Sequence, residues 1–137
     1  MKKDDIIKNT DRLHVIRLFD MIADSGFDVF ETIRRYSRVK TRVMADEGKE
    51  YFILRQPVNS INDVLMEGNV HKSDLEIDKM ILHWMADVYI YAIYEMDMTF
   101  AEAVKVADPE WLYVHYSPLH EGSMGNCWDK IVKISKD

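Results

Sequence analysis

The residue types that could do chemistry include histidine and carboxylate groups on one predicted helix. His83 and Asp87 stand four residues apart, a spacing that lets both side chains face one metal ion. His115, His120 and Glu121 offer further ligands downstream. No HExxH motif or paired-cysteine spacing accompanies them, and a histidine–aspartate pair at this spacing is also an ordinary interaction on a helix surface. The sequence therefore favours the surface pair and predicts no metal site; an enzyme stays open only if these groups converge in one pocket.

The sequence does not indicate a nucleophilic centre. Cys127 is the only cysteine, and its neighbours Trp128 and Ile131 predict a buried thiol that acts as a small hydrophobe. His120 is close in sequence but lies across a turn at Gly122–Gly125. The glycines form neither a phosphate-binding loop nor a dinucleotide fingerprint. We therefore expect a protein that is not an enzyme and needs no cofactor.

The most concentrated charged motif is a basic run over residues 34–42, which contains no acidic residue. On one continuous helix Arg34, Arg38 and Arg42 share a face and repel one another mildly, which indicates an anionic partner. A phosphate, a nucleic acid or the acidic half of the same chain fits that role, and a solvated face or an intramolecular pairing is favoured. The candidate anion-binding or nucleic-acid-binding residues are Arg34, Arg35, Arg38, Lys40 and Arg42.

The net charge of −6 is distributed unevenly. Residues 1–68 carry 12 basic and 12 acidic side chains, whereas residues 69–137 carry 6 basic and 12 acidic ones. An acidic second half repels phosphate backbones, so nucleic acid would have to bind through the first half alone. A basic protein partner fits the second half better.

Aromatic residues concentrate in the second half, where all three tryptophans and five of the seven tyrosines follow residue 80. Tyr89, Tyr91 and Tyr94 cannot all point inward, because helical positions 89 and 91 differ by about 200°. They lie either on a partner surface, where tyrosine and tryptophan are favoured anchors, or under the short helices that follow. The candidate partner-binding residues are Tyr89, Tyr94, Trp111 and Tyr113.

Helical periodicity runs through most of the chain and predicts one all-α, or nearly all-α, domain over residues 1–137. We expect a compact bundle of six or seven helices, with a central helix that follows a capping box at Ser73–Glu76. An aromatic and β-branched stretch at 49–55 allows a lone strand. The predicted helices span 11–23 with Thr10 or Asp11 as N-cap, 28–45, 57–66, 73–95, 99–107, 109–117 and 123–134.

The compartment is predicted from what the chain lacks. No apolar run approaches the roughly 20 residues that span a bilayer. The start at Met1–Asp5 turns acidic before any hydrophobic stretch, which predicts no signal peptide. A single cysteine makes an intramolecular disulfide impossible, so we expect a cytoplasmic protein.

Part of the second half resembles a known family. The stretch Met85–Asp129 contains Val88–Tyr91, the helix start Asp97–Ala103 and the segment Tyr113–His120. A long helix, a capped short helix and a tyrosine followed three residues later by leucine-histidine are similar to a small uncharacterised family of bacterial helical proteins. These proteins are often encoded beside ADP-ribosyltransferase-like toxins and are thought to be the matching antitoxins.

The resemblance implies a helical regulatory protein and assigns no site residues. At most Tyr116, Leu119 and His120 match the motif, whereas Ser117-Pro118 and residues 1–72 depart from the pattern. The prediction is a non-catalytic protein-binding module, an antitoxin-like inhibitor of a partner such as a basic toxin or enzyme. A nucleic-acid-binding regulator and a phage-type inhibitor of a host defence enzyme are the alternatives, and the oligomeric state stays open.

Overall fold

The computed structural model describes residues 5–47, 57–66 and 68–135, and its regular elements are helices. This confirms the all-α prediction. The described ranges contain nine helices, more than the six or seven expected, while the stretch 49–55 lies outside them. The helices are α1 (Asp5–Asp24), α2 (Val29–Tyr36), α3 (Lys40–Asp46), α4 (Pro57–Met66), α5 (Lys79–Glu95), α6 (Phe100–Val106), α7 (Pro109–Val114), α8 (Tyr116–Leu119) and α9 (Met124–Ser135).

Helix α5 is the centre of the bundle, as its broad apolar face predicts. It packs along α1 and also contacts α6, α7 and α9. Val88, Tyr89 and Ile90 are consecutive and all buried. Because consecutive helical residues point about 100° apart, their shared burial means that neighbours cover α5 around its circumference at this level.

The predicted start of the central helix was wrong. Helix α5 begins at Lys79 with Asp78 as its N-cap, not at the capping box that Ser73 suggested. Segment 68–78 is non-helical and lies beside the turn between α1 and α2, where the Ser73 N–H donates to the Gly26 carbonyl at 3.0 Å. This long-range bond uses a backbone donor and holds the segment to the turn, so tertiary contact overrides the local helix signal.

The basic helix predicted over residues 28–45 is two helices. Helices α2 and α3 are separated at residues 37–39, where the Ser37 hydroxyl donates to the Arg34 carbonyl at 2.6 Å. Val39 is buried and extended, with φ −66° and ψ 148°. This break lets Arg42 point into the core while Arg34 stays partly exposed, so the predicted cationic face does not exist.

Helix α1 starts at Asp5 and runs through the residues predicted to cap it. The Thr10 hydroxyl donates to the Ile6 carbonyl at 2.8 Å, as in a helix interior, and Asp11 is fully buried. Apolar residues at three- and four-residue spacing (Leu13, Ile16, Phe19 and Ala23) predict an inward stripe on this helix, but Leu13 is 47% exposed. The stripe was misassigned because a buried carboxylate on the core face breaks the apolar pattern.

Several local signals predicted helix boundaries correctly. Thr99 and Glu102 form the expected capping box of α6. Asp108 caps α7, and Pro109 occupies its first turn. Helix α4 has its predicted bounds. Helix α9 buries Cys127 together with Trp128 and Ile131. These signals succeed because the side chain and the backbone group that it satisfies lie within a few residues of each other.

A buried ionic cluster joins the first half of the chain to α5. Its centre is Arg42, whose Nη1 and Nη2 each donate to the Asp11 carboxylate at 2.7 Å. Its Nε and Nη2 donate to Asp46 at 3.0 and 2.7 Å, and Nη1 also donates to the Tyr36 hydroxyl at 3.2 Å. The Tyr94 hydroxyl on α5 donates to Asp11 at 2.8 Å. Every guanidinium N–H therefore has an acceptor, as a buried arginine requires.

The cluster also fixes helices α6 and α4. The first residue of α6, Phe100, donates its backbone N–H to Asp46 at 2.8 Å, and its ring lies 5.1 Å from the Arg42 guanidinium carbon. His14 neighbours Asp11 on α1, and its Nε2 lies 3.0 Å from the Ser60 hydroxyl of α4. One set of polar contacts thus joins helices α1, α2, α3, α5 and α6.

Burial and pairing compete to set the pKa values in this cluster. Burial alone raises the pKa of the Asp11 carboxyl, but the charge and hydrogen bonds of Arg42 bring that pKa below its ordinary value. Burial opposes the charged form of Arg42 as well, yet Asp11 raises its pKa well above the ordinary value. At Asp46 burial outweighs the pairing and raises the pKa, and burial raises the pKa of Tyr36 to about 12. The Asp11–Arg42 pair is therefore ionised at neutral pH.

Replacement of the central cation should destabilise the whole fold. Arg42→Met leaves two buried carboxylates without their cation, so we expect the free energy of unfolding to fall by about 3–5 kcal/mol. Urea denaturation followed by circular dichroism measures the change. The matched control is Arg38→Met, an exposed residue of the same basic run, which should change stability by less than about 0.5 kcal/mol. Equal denaturation midpoints for the two variants would contradict this role of the cluster.

Candidate functional site

The histidine and aspartate predicted as a pair on α5 have separate partners on α1. His83 Nε2 lies 2.7 Å from Asp20 Oδ1, and Asp87 accepts from Arg12 Nε at 2.5 Å. This hydrogen bond, which Arg12 donates to Asp87, raises the pKa of the Arg12 guanidinium. Both side chains thus connect the central helix to α1 at a partly exposed seam, and their apparent metal-ligand spacing serves helix packing.

His115 and His120 have the same structural arrangement, each four residues after an aromatic residue. His115 stacks on Trp111 with ring centroids 4.3 Å apart, and its Nδ1 lies 2.7 Å from the Trp111 carbonyl oxygen. His120 stacks on Tyr116 at 4.1 Å, with Nδ1 2.8 Å from the Tyr116 carbonyl oxygen. A carbonyl oxygen can only accept, so each Nδ1 carries the proton and closes the end of a short helix.

These histidines do not converge on one pocket with the acidic residues. Within residues 5–47, 57–66 and 68–135, no group of three or more histidine, cysteine, aspartate or glutamate side chains is placed to hold a metal ion. His83 faces α1, whereas His115 and His120 bond to carbonyls of their own segments.

Cys127 is a buried thiol next to the central helix. Burial raises its pKa to about 11, against a weaker opposing effect of Lys130. Its neighbour Trp128 is also buried and donates its indole N–H to the Val88 carbonyl at 2.9 Å. A thiol with so high a pKa is almost entirely protonated at neutral pH, which suits a packing role.

The five candidate cations of the basic run have different roles. Arg42 lies in the core cluster. Arg34 forms a two-point pair with the Asp108 carboxylate, with Nε and Nη2 at 2.6 and 2.9 Å, and this pairing lowers the pKa of Asp108. Arg35 donates to Glu31 at 3.1 Å and to the Asn69 carbonyl at 2.9 Å. Of these three arginines, only Arg34 pairs with a carboxylate of the acidic second half, whereas Arg42 and Arg35 pair with carboxylates of the first half.

Arg38 and Lys40 are the two cations of the run that remain at the surface. Both are exposed, and neither forms an ion pair with another residue in the described ranges. A nucleic-acid surface would have to be built on these two side chains, since the other three are engaged. Among the described residues, such a surface has two free positive charges, whereas the sequence predicted a surface with five.

Two of the predicted partner-binding tyrosines are buried, so their prediction was wrong. Tyr89 is fully buried and donates its hydroxyl to the Ala107 carbonyl at 2.7 Å. Tyr94 is 2% exposed and bonds to Asp11 in the ionic cluster. Both lie in the core because α1 and α6 pack against α5, an arrangement that periodicity within α5 cannot reveal.

The other two predicted partner-binding residues lie on α7 and are partly exposed. Trp111 lines an open groove of about 280 Å³ together with Ile131 and Ile134. Tyr113 packs edge-on against Phe30, with ring centroids 5.5 Å apart, and its hydroxyl accepts from the Asp78 N–H at 3.0 Å. Helix α7 therefore bridges α9 on one side and the segment before α5 on the other.

Exposed apolar side chains surround α7. Leu75 is 63% exposed, Met80 64% and Val114 66%. The Tyr113 hydroxyl, which accepts from the Asp78 N–H at 3.0 Å, holds the segment that carries Leu75 and Met80 against α7, the helix that carries Val114. We call residues 74–80 together with Glu110, Trp111, Tyr113 and Val114 the α7 face.

The α7 face is acidic as well as apolar. Asp74, Glu76 and Glu110 are exposed, and Asp78 caps α5 beside them. The one cation of the segment, Lys79, is paired with Asp24 at 2.8 Å. The alternation of acidic and apolar residues over 74–78 was the sequence signal for this surface, but the helix predicted there concealed it.

Comparison with known proteins adds no relative: the chain matches no protein-family model, no curated protein and no solved structure. In the described ranges, none of the helices combines the length and the apolar character needed to cross a membrane. What this protein binds must therefore be inferred from the geometry of the described residues.

The chemistry of Cys127 can be checked directly. With a pKa of about 11, the native thiol should react with iodoacetamide at about pH 8 roughly a hundredfold more slowly than the same thiol in the unfolded chain. Mass spectrometry of samples alkylated in buffer and in urea measures both rates. Cys127→Ser supplies the unlabelled control, and equal rates in the two conditions would show that the thiol is not protected.

Proposed function

We propose that this chain is a non-catalytic protein-binding module that docks a basic partner protein through the α7 face. The observation on which the proposal rests is the exposure of Leu75, Met80 and Val114, each above 60%, among carboxylates around one short helix. Contiguous exposed apolar side chains with a polar rim are typical of protein interaction sites.

The apolar side chains provide the affinity in this proposal. Full burial of a leucine, valine or methionine side chain is worth about 1.5–3 kcal/mol. Leu75 and Met80 lie on either side of the Asp78 cap, and Trp111 adds an aromatic wall beside the groove to α9. A few such anchors supply most of the binding energy in typical interfaces.

The carboxylates indicate the charge of the partner. Asp74 and Glu76 are exposed, and Glu110 lies 3.7 Å from Arg34 in a weak, mostly exposed pair. This surface belongs to the half of the chain that holds the whole charge deficit. A partner with lysine or arginine around an apolar pocket would be attracted over several ångströms and held in register.

The contacts of the histidine and cysteine side chains support a role without catalysis. His83, His115 and His120 each make a structural hydrogen bond, and the high pKa of Cys127 keeps its thiol protonated. In the described structure, His83 therefore connects two helices, His115 and His120 close the ends of short helices, and Cys127 packs in the core. A surface that masks a partner needs only shape and charge.

The resemblance of residues 85–129 to antitoxin-like proteins suggests the kind of partner. An inhibitor of this kind binds a toxin and covers its active site. A phage-type inhibitor of a host defence enzyme would use the same surface physics, so the identity of the captured partner distinguishes the two.

The test locates the partner and then measures its affinity. A photo-crosslinking residue at Val114 should capture one protein in stoichiometric yield from the source cells, whereas the same residue at Met66, which is 86% exposed on α4, should not. With both proteins purified, Leu75→Ser and Met80→Ser should each weaken binding by about tenfold or more in calorimetry. A partner with enzyme activity should lose that activity when bound.

The matched control is Met66→Ser, which removes an equally apolar side chain away from the α7 face. It should leave the affinity unchanged, and Glu76→Lys should weaken binding most at low salt. Absence of a stoichiometric partner, or an equal loss for Met66→Ser, would overturn the proposal.

A further inference from the structure

A second surface, opposite in charge to the α7 face, lies between α2 and α6. An open cleft of about 430 Å³ separates the end of α2 from α6. Arg34, Arg38, Lys105 and Asp108 form its polar walls, and Ala101 and Val104 form its floor. The cleft exists because the break between α2 and α3 turns Arg38 toward α6.

Its cations are unevenly compensated. Asp108 is the one carboxylate among the described residues that line the cleft, and Arg34 already binds it with both ends of its fork. Arg38 and Lys105 are exposed and form no ion pair within the described part of the chain. The residues that line the cleft therefore carry a net charge of about +2, with Glu110 outside the lining but 3.7 Å from Arg34, on a chain whose net charge is −6.

One wall of the cleft is rigid before any ligand arrives. The two-point pair between Arg34 and Asp108 joins α2 to the N-terminus of α7, where Asp108 also accepts from the backbone N–H of Glu110 at 3.1 Å. The Ser37 hydroxyl donates to the Arg34 carbonyl at 2.6 Å. A wall that is already ordered loses little entropy on binding.

The floor and the charge distinguish among anionic ligands. None of the described residues that line the cleft is aromatic, so it offers no platform for base stacking. A long phosphate backbone would also meet the negative charge of the rest of the chain. A short occupant with a few carboxylates and a small apolar side chain matches both the two cations and the floor of Ala101 and Val104.

We propose that this cleft binds an acidic peptide segment of a partner protein, with carboxylates on Arg38 and Lys105 and a small apolar side chain on Ala101 and Val104. This inference goes beyond the function proposed above, because the α7 face requires a basic partner and this cleft an acidic one. The two surfaces adjoin, because Glu110 of the α7 face lies 3.7 Å from Arg34 of the cleft, so one partner with both charges or two partners can use them.

The binding test uses the full chain and a fluorescein-labelled peptide in which glutamate alternates with alanine. Fluorescence anisotropy should show binding that weakens as salt increases, while the matched peptide with glutamine in place of glutamate should bind about tenfold more weakly or not at all. Arg38→Glu and Lys105→Glu should each reduce the affinity by about tenfold. Both residues are exposed, so circular dichroism should show an unchanged fold.

The control is Lys133→Glu, which makes the same charge change at an exposed lysine of α9 that does not line the cleft. It should reduce affinity far less than the two cleft variants. Equal effects of all three variants, no binding of the glutamate peptide, or tighter binding of a labelled single-stranded DNA would each overturn the assignment. The anisotropy measurement does not require a protein bound to the α7 face. Its result therefore tests the cleft independently of the proposed function.

Discussion

The fold depends on one buried cation. Arg42 is surrounded by two carboxylates, a tyrosine hydroxyl and the Phe100 ring, and its donors are all satisfied. Removal of a charge of this kind from water costs several kcal/mol, which only close pairing can offset. The helices that supply the partners must therefore meet at this point in one arrangement, because a shift of any of them would leave a buried charge without its partner.

This constraint also shapes the surface. For Arg42 to reach Asp11, the basic segment must break after α2, and the break leaves Arg38 at the surface beside α6. Asp46 fixes the start of α6 through the Phe100 N–H, which sets where Ala101 and Lys105 lie. The walls and floor of the basic cleft are thus consequences of how the core neutralises the buried Arg42.

Charge is separated in space as well as along the chain. Arg34 and Arg35 are paired with carboxylates or carbonyls, so Arg38 and Lys40 are the cations of the basic run that remain exposed without an ion pair among the described residues. The acidic side chains at 74 and 76 are not paired within the described residues and border Leu75. Among the described residues, the acidic α7 face would therefore attract cations and the basic cleft anions.

The sequence alone determined the helical class, the central position of α5 and the boundaries of α4, α6 and α9. These follow from apolar periodicity and from caps such as Thr99–Glu102, in which the interacting groups lie within one helical turn. Of the four predicted partner residues, Trp111 and Tyr113 remain partly exposed, because α7 begins at a local Asp-Pro signal. Tertiary contacts place Arg42 in the core, bury Tyr89 and Tyr94 and keep residues 73–78 out of a helix. Their partners lie far along the chain, as Arg42 and Asp11 do at a separation of 31 residues, and no local pattern records such a pairing.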